Sequence, residues 1–157
     1  MAEGKKLFTL VIIHKHPRVL LGMKKRGFGE GRWNGFGGKV SNNESIEKAA
    51  LREIKEESGV EAKKLEKLGI LDFEFKGDPQ ILQVHIFKSR EYEGEPIESE
   101  EMSPRWFFID EIPFMEMWVA DKFWIPLFLK DRKFKGKILF GKGDIVLEKN
   151  VEEVASL

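Results

Sequence analysis

The chain has no cysteine, which excludes both a disulfide framework and a thiolate metal site. It also has no net charge, because 27 Lys and Arg residues balance 27 Asp and Glu. That argues against a protein whose main task is gripping long nucleic acids, although a local basic patch is compatible with it. No stretch approaches the ~20 consecutive apolar residues of a membrane span. The opening Met1-Ala2-Glu3-Gly4-Lys5-Lys6 lacks the charged-then-apolar layout of a signal peptide. The cytosol is therefore the expected compartment, and nuclear or mitochondrial signals are too weak to read. Repeats, low-complexity tracts and domain boundaries do not stand out. With 41% hydrophobic and 34% charged residues, residues 1–157 read as one soluble domain with a substantial core.

What is present begins with strands. Leu7 to His14 is apolar and β-branched, the composition of a buried strand. Val19 to Lys24 is its expected hairpin partner. A glycine-rich stretch follows from Gly27 to Gly38, implying tight turns or backbone held close to a ligand. A helix is predicted from an N-cap at Ser45 to Ser58, with Gly59 stopping it in the left-handed conformation. Further strands are expected at Leu68 to Phe75, Ile81 to Lys88 and Trp106 to Ile109. A second helix is predicted over Asp121 to Leu129, provided that Pro126 falls in its first turn. A last hairpin joins Lys137 to Phe140 with Ile145 to Leu147. Strands that outnumber helices and are joined by short connections give an α+β fold with a mixed sheet packed against helices.

The first helix carries the chemistry. At about 100° per residue, Ile46, Ala49 and Ala50 share a face, and Glu53, Glu56 and Glu57 are expected to continue it. Lys48, Leu51 and Lys55 fall opposite. Most Glu-rich helices are simply solvated. Here acids three and four apart repel one another by a few tenths of a kcal/mol per pair when exposed, and more where water is scarce. A divalent cation among them removes that conflict. Oxygen-only ligands with no His or Cys interleaved suit Mg²⁺, with Mn²⁺ as substitute, better than zinc. The glycine stretch is neither a P-loop nor a dinucleotide fingerprint, because its spacing is wrong for both. His14 and His16, two residues apart and followed by Pro17, read as surface histidines rather than metal ligands.

The run Gly38-x5-Glu44-x7-Arg52-Glu53-Ile54-x-Glu56-Glu57-x-Gly59-Val60 resembles the catalytic box of the Nudix hydrolases over residues 38–60. At roughly 5–7% background usage per residue, chance agreement is on the order of one in a billion per register. The resemblance implies a Nudix α/β/α sandwich whose catalytic loop–helix–loop lies against the sheet, and hydrolysis of a nucleoside diphosphate linked to another moiety. It implies Glu53, Glu56 and Glu57 as metal ligands together with the Gly37 carbonyl, and Arg52 as the residue that orients a helix carboxylate. Glu44 would support the helix start or the metal shell. The spacing does not decide which glutamate takes the proton from water; Glu57 is preferred over Glu53 and Glu56.

Beyond the box, LFTLVII, RVLLGMKKRGFGEGRWNGFGGKV, FEF, ESEEMSPRWF, IPFMEMW and KFWIPL run in the order of the family branch that acts on oxidised purine nucleoside triphosphates such as 8-oxo-dGTP and 2-hydroxy-dATP. That resemblance implies Asn34 and Asp121 reading the base edge, Trp118 stacking on the ring, and Thr9, Lys24, Phe28, Phe73 and Met102 completing the pocket. It also implies Glu101 as an outer carboxylate near the metal, a monomeric state, and small nucleotides rather than nucleic-acid polymers or membranes as partners. Aromatics at Phe28, Phe73, Phe75, Trp118, Phe123 and Trp124 fit a pocket for a flat base. One departure stands out: the branch has two adjacent acids where this chain has Ala120 and Asp121, which is expected to narrow or rebalance the choice between oxidised guanine and oxidised adenine. Rival readings keep the box but change the substrate to a dinucleoside polyphosphate, ADP-ribose or a cap-like molecule, or retain the fold as a non-catalytic binding module.

Overall fold

Alternation along the first two strands assigns their side chains to two separate cores. β1 spans Lys5–Lys15 and β2 spans Arg18–Lys24. Val11, Ile13 and Leu20 enter one core, whereas Ile12, Val19 and Leu21 enter the other. That is the period-two signature of a sheet covered on both faces. The computed structural model describes residues 4–157; residues 1–3, the start of the segment read for a leader, lie outside the described residues.

The remaining strands are β3 (Trp33–Asn34), β4 (Glu61–Lys63), β5 (Glu66–Phe75), β6 (Ile81–Ser89), β7 (Glu91–Glu93), β8 (Met102–Phe108), β9 (Phe134–Phe140) and β10 (Val146–Glu153). The main sheet runs β10-β9-β5-β6-β1-β2-β3, with β8 also pairing β2, while β4 and β7 form a separate small ribbon. β1 is parallel to β6 and β5 parallel to β9, and the other pairs are antiparallel. The sheet is therefore mixed, as expected.

Helix α1 (Ile46–Ser58) covers one face, placing Ala50 and Ile54 against Val11, Ile13, Phe36 and Phe87. Helix α2 (Asp121–Leu129) covers the other, with Trp124, Ile125 and Phe128 against Ile12, Leu71, Ile86 and Phe134. Each fully buried side chain of valine size or larger among these contributes about 1.5–3 kcal/mol of transfer free energy. Both predicted caps of α1 are present. Ser45 Oγ accepts from the Lys48 amide at 3.1 Å, and Gly59 at φ 77° donates its amide to the Lys55 carbonyl at 2.8 Å. Among the described residues, no helix is long and apolar enough to cross a membrane.

One irregularity of the sheet makes room for a site. β1 and β2 pair only from Ile13↔Leu20 to Lys15↔Arg18 and then diverge. Into the widening gap comes the segment 33–39. Its start pairs with β2 at Gly22↔Asn34 and Met23↔Trp33, and its end bridges β1 at Val11↔Phe36 and Phe8↔Lys39. The second half of the glycine stretch is thus a wedge hydrogen-bonded into the sheet rather than a free loop.

Four expectations need correction. The strand expected at Trp106 to Ile109 begins at Met102, and Ile109 belongs to a 3-10 turn; Pro104 disguises its start, yet is tolerated because β8 lies on an edge of the sheet beside β2. The final strand continues past Leu147 to Glu153, where exposed charges on an edge strand hide the pattern. Pro126 lies in the second turn of α2, not the first; the donor it lacks would have served the carbonyl of Lys122, an exposed residue. His14 is buried at 8% exposure, since strand alternation places it on the same side as Ile12; only His16 is at the surface. Burial, reinforced by the nearby Lys88 and Arg90 charges, lowers the His14 pKa to about 4, so the ring is neutral at physiological pH.

Candidate active site

The wedge presents its backbone to α1. Phe36 and Gly38 turn their carbonyls to β1, accepting from the Val11 amide at 2.6 Å and the Thr9 amide at 2.9 Å. In an extended chain the residue between them faces the other way, with its N–H and C=O on the same edge. Accordingly Gly37 donates its amide to Glu57 Oε1 at 2.9 Å, and its carbonyl lies on that edge too, away from β1. Only glycine fits here: a Cβ on Gly37 would stand 1.7 Å from the Thr9 carbonyl oxygen. At Gly38 a Cβ would lie 2.6 Å from Glu53 Cδ, so the bare backbone forms a cradle for that carboxylate.

The acids of α1 do not all face the same way. Glu57 is 5% exposed and the Glu53 side chain 17%, while the Glu56 side chain is 59% exposed. The expectation of three acids on the inward stripe is therefore corrected. At about 100° per residue, Ile54 rather than Glu56 continues the stripe, and Glu56 stands on the flank. Burial raises the Glu57 pKa to about 7, with the Gly37 amide and the Lys24 charge opposing the rise. Arg52 organises the others: it binds Glu44 through Nε at 2.7 Å and Nη2 at 2.9 Å, Glu53 at 2.8 Å and Glu56 at 3.3 Å. Hydrogen bonds from Arg52 and the Ser41 amide hold Glu44 down to about 2. Across the cleft, Lys24 Nζ reaches Glu101 at 3.1 Å and Arg26 binds the same carboxylate at 2.9 Å.

Among the described residues, no three His, Cys, Asp or Glu side chains come close enough together to hold a metal ion; Glu53 is engaged by Arg52 and Glu101 by Lys24. The chemistry nevertheless fits a hard cation: the Glu53 and Glu57 carboxylates and the Gly37 carbonyl supply oxygen only. Gly38 leaves Glu53 the room to turn toward them.

From Glu57 a pocket of about 630 Å³ extends over the sheet. Its floor is one face of β1 and β6, with Leu10, Leu82, Val84 and Ile86, and its walls come from Phe73, Phe75, Phe140, Phe28, Met102 and the start of α2. Of the residues expected to form the site, Thr9, Lys24, Phe28, Asn34, Gly37, Glu57, Phe73, Met102, Trp118 and Asp121 line it, whereas Arg52, Glu53, Glu56 and Glu101 lie outside the lining. Phe75 and Trp124 join the wall but Phe123 does not. Phe140 and the β6 floor were missed, since a period-two apolar strand looks the same whether it faces a core or a cavity.

Two polar groups mark the apolar end. Asn34 accepts from the Gly35 amide at 2.9 Å through Oδ1, leaving its NH₂ to donate. Asp121, 4% exposed, accepts from Trp124 Nε1 at 3.1 Å through Oδ1, and its Oδ2 is buried without a partner. Burial raises its pKa to about 7, opposed by the Trp124 and Trp118 hydrogen bonds and the Arg32 charge. An acid at that pKa can accept or donate near neutrality. The raised pKa has a sign for stability: the contribution is fully present below about pH 4 and is lost as pH rises through about 7. Ionising the group costs at most roughly 4 kcal/mol. Asp121→Asn is expected to raise the melting temperature relative to the parent by about 5–10 °C more at pH 8 than at pH 4. A difference that stays constant with pH in metal-free thermal melts contradicts the assignment.

The NUDIX domain family matches residues 6–128. The chain is 53% identical over 152 residues to the "Oxidized purine nucleoside triphosphate hydrolase" of Danio rerio, covering 97% of each chain. It is 51% identical over 151 residues to the mouse protein of the same name, covering 96% of this chain and 97% of that one. Among solved structures, the MutT protein of Bacillus halodurans superposes with a TM-score of 0.85 at 30% identity, covering 94% of this chain and 97% of that chain.

Proposed function

The chain belongs to the Nudix hydrolase family, and from that premise we propose that it hydrolyses oxidised purine nucleoside triphosphates, 8-oxo-dGTP and 2-hydroxy-dATP among them, to the monophosphate and pyrophosphate. The observation that carries this reading is one continuous pocket with the box acid Glu57, apolar and aromatic walls, and the polar side chains of Asn34 and Asp121 on the same lining. Oxidation of a purine changes which ring positions donate and which accept. An amide donor beside a carboxyl that can hold or release its proton suits that change.

Mg²⁺ is the cofactor of this reading; Glu53, Glu57 and the Gly37 carbonyl would hold it, with Glu56 and Glu101 as further acids that could turn to it. When bound, it neutralises the polyphosphate and makes the attacking water more acidic. The chain does the rest. Glu57 accepts the proton of the attacking water at Oε2, since Oε1 is engaged by the Gly37 amide. Burial holds this carboxyl up at about 7 in the metal-free chain, and a cation beside it would favour the ionised form that can accept a proton. Arg52 keeps Glu44 and Glu53 in place, and Lys24 brings positive charge to the cleft. The aromatic walls exclude water from the base and hold the nucleotide while phosphorus is attacked. The substrate is a small nucleotide and the working unit a monomer, in the cytosol and in any other compartment that holds a nucleotide pool.

Steady-state hydrolysis of 8-oxo-dGTP, 2-hydroxy-dATP and dGTP with Mg²⁺, scored by pyrophosphate release, tests the reading. A marked preference for an oxidised nucleotide is expected; equal, slow turnover of all three would redirect the assignment to dinucleoside polyphosphates, ADP-ribose or cap-like substrates. Ala120 supplies a sharper check. It is fully buried with Ile138 and Phe140, so Ala120→Asp would set a second carboxyl beside Asp121 in apolar surroundings and couple the two titrations. The ratio of kcat/KM for 8-oxo-dGTP to that for 2-hydroxy-dATP is expected to shift by about tenfold, the worth of one hydrogen bond. An unchanged ratio would remove Ala120 from the account of specificity.

A further inference from the structure

Trp118 is held by a residue outside the Nudix box. The Arg32 guanidinium carbon lies 4.0 Å from the centroid of the Trp118 ring, and Arg32 Nη2 is bound by Asp144 Oδ2 at 3.0 Å. Asp144 closes the turn between β9 and β10, where the Gly141 amide donates to the Ile145 carbonyl at 2.8 Å and the Asp144 amide to the Gly141 carbonyl at 3.1 Å. Behind Arg32, its carbonyl accepts from the Lys24 amide at 3.1 Å and its amide donates to Gly29 at 3.1 Å. A Cβ on Gly29 would lie 3.4 Å from Trp118 Nε1, so the glycine loop also follows the edge of the indole. Phe140 meets the ring edge-to-face at 5.5 Å.

We infer that Arg32 is the positioning residue for the base pocket: its guanidinium, fixed by Asp144, braces one face of Trp118 and keeps the opposite face turned to the purine. This rests on the reading that the pocket takes a purine. A guanidinium on an aromatic face is a directional contact, and the carboxylate behind it removes the freedom that would let both side chains drift. The turn that supplies Asp144 lies beyond residues 6–128, the span of the family match, so sequence outside that span acts on Trp118 through this ion pair as well as lining the pocket directly at Phe140. The role concerns binding, because Arg32 is not among the lining residues and Glu57 lies elsewhere on the pocket wall.

The test compares Arg32→Gln, Arg32→Lys and Asp144→Asn in hydrolysis of 8-oxo-dGTP and in the indole region of a ¹⁵N–¹H spectrum, with the Trp118 cross-peak assigned by its loss in Trp118→Phe. Arg32→Gln is expected to raise KM about 3- to 30-fold with kcat within about twofold. Arg32→Lys should recover most of that loss by restoring a cation over the ring, and Asp144→Asn should act in the same direction more weakly. Both Arg32→Gln and Asp144→Asn should move or broaden the Trp118 cross-peak while leaving that of Trp124 in place. An unchanged KM, or a fall in kcat that lysine does not rescue, overturns the inference. If the wild-type protein turns over none of the oxidised nucleotides, the proposed function fails by itself and the spectrum decides: a Trp118 signal unmoved by Arg32→Gln overturns the brace, and a displaced one supports it.

Discussion

Replacing Glu57 by Gln is expected to lower kcat on the preferred nucleotide by about 10²- to 10⁴-fold, the usual worth of a positioned general base, while the protein stays folded. Glutamine keeps the shape of the side chain, and its Oε1 can still accept from the Gly37 amide that Glu57 engages at 2.9 Å. What it loses is the second oxygen as a proton acceptor and as a cation ligand. Stability should move the other way. The folded Glu57 has a pKa raised from 4.5 to about 7, so its contribution is greatest below about pH 4.5 and is lost as pH rises through about 7. The variant should therefore melt above the parent at pH 8 in metal-free buffer and close to it at pH 4. Glu56→Gln is the control, because Glu56 lies on the exposed flank of α1 and is expected to cost far less activity. A Glu56→Gln loss equal to that of Glu57→Gln would transfer the base role away from Glu57.

Gly37→Ala is expected to cost about 3–5 kcal/mol of stability, which lowers the melting temperature by about 10 °C or more. The added Cβ would lie 1.7 Å from the Thr9 carbonyl oxygen, 2.5 Å from its carbon and 3.0 Å from Leu10 Cα. All three are backbone atoms of a central strand and cannot turn aside. The wedge must instead lift from β1, breaking the bonds from Thr9 to Gly38 and from Val11 to Phe36, and the Gly37 amide then leaves Glu57. Gly38→Ala separates the two effects. The three atoms nearest to its Cβ all belong to the end of the Glu53 side chain, the closest at 2.6 Å, and that end can swing away. That variant should melt near the parent but lose activity, because Glu53 is displaced from its cradle. Equal melting temperatures for parent and Gly37→Ala would mean that the wedge does not pack on β1 as described.

Some of this could be read without a fold. Ser45, Gly59 and the three-four spacing between them define α1 through contacts among neighbours in sequence, and the structure places both caps as expected. The run from Gly38 to Val60 carries the family for the same reason: a loop–helix–loop that must present acids at set intervals leaves its spacing in the sequence. The apolar alternation of β1 and β6 likewise announces strands.

Tertiary contacts decided the rest. That Glu57 is buried and Glu56 exposed depends on how α1 rolls onto the sheet, with Ile54 rather than an acid filling the groove. His14 is buried because β1 is covered on both faces, which the residues near it in sequence do not reveal. The pocket gathers β1, β6, the glycine stretch, the start of α2 and the end of β9, and the brace behind Trp118 joins residues 112 positions apart. Periodicity and caps record what a segment does with its own neighbours, so the sequence by itself determined the helix, its acids and the chemistry they can perform. Which oxygen loses water, which aromatic faces a cavity and which arginine steadies it follow from packing between distant segments, and only the folded chain could set them.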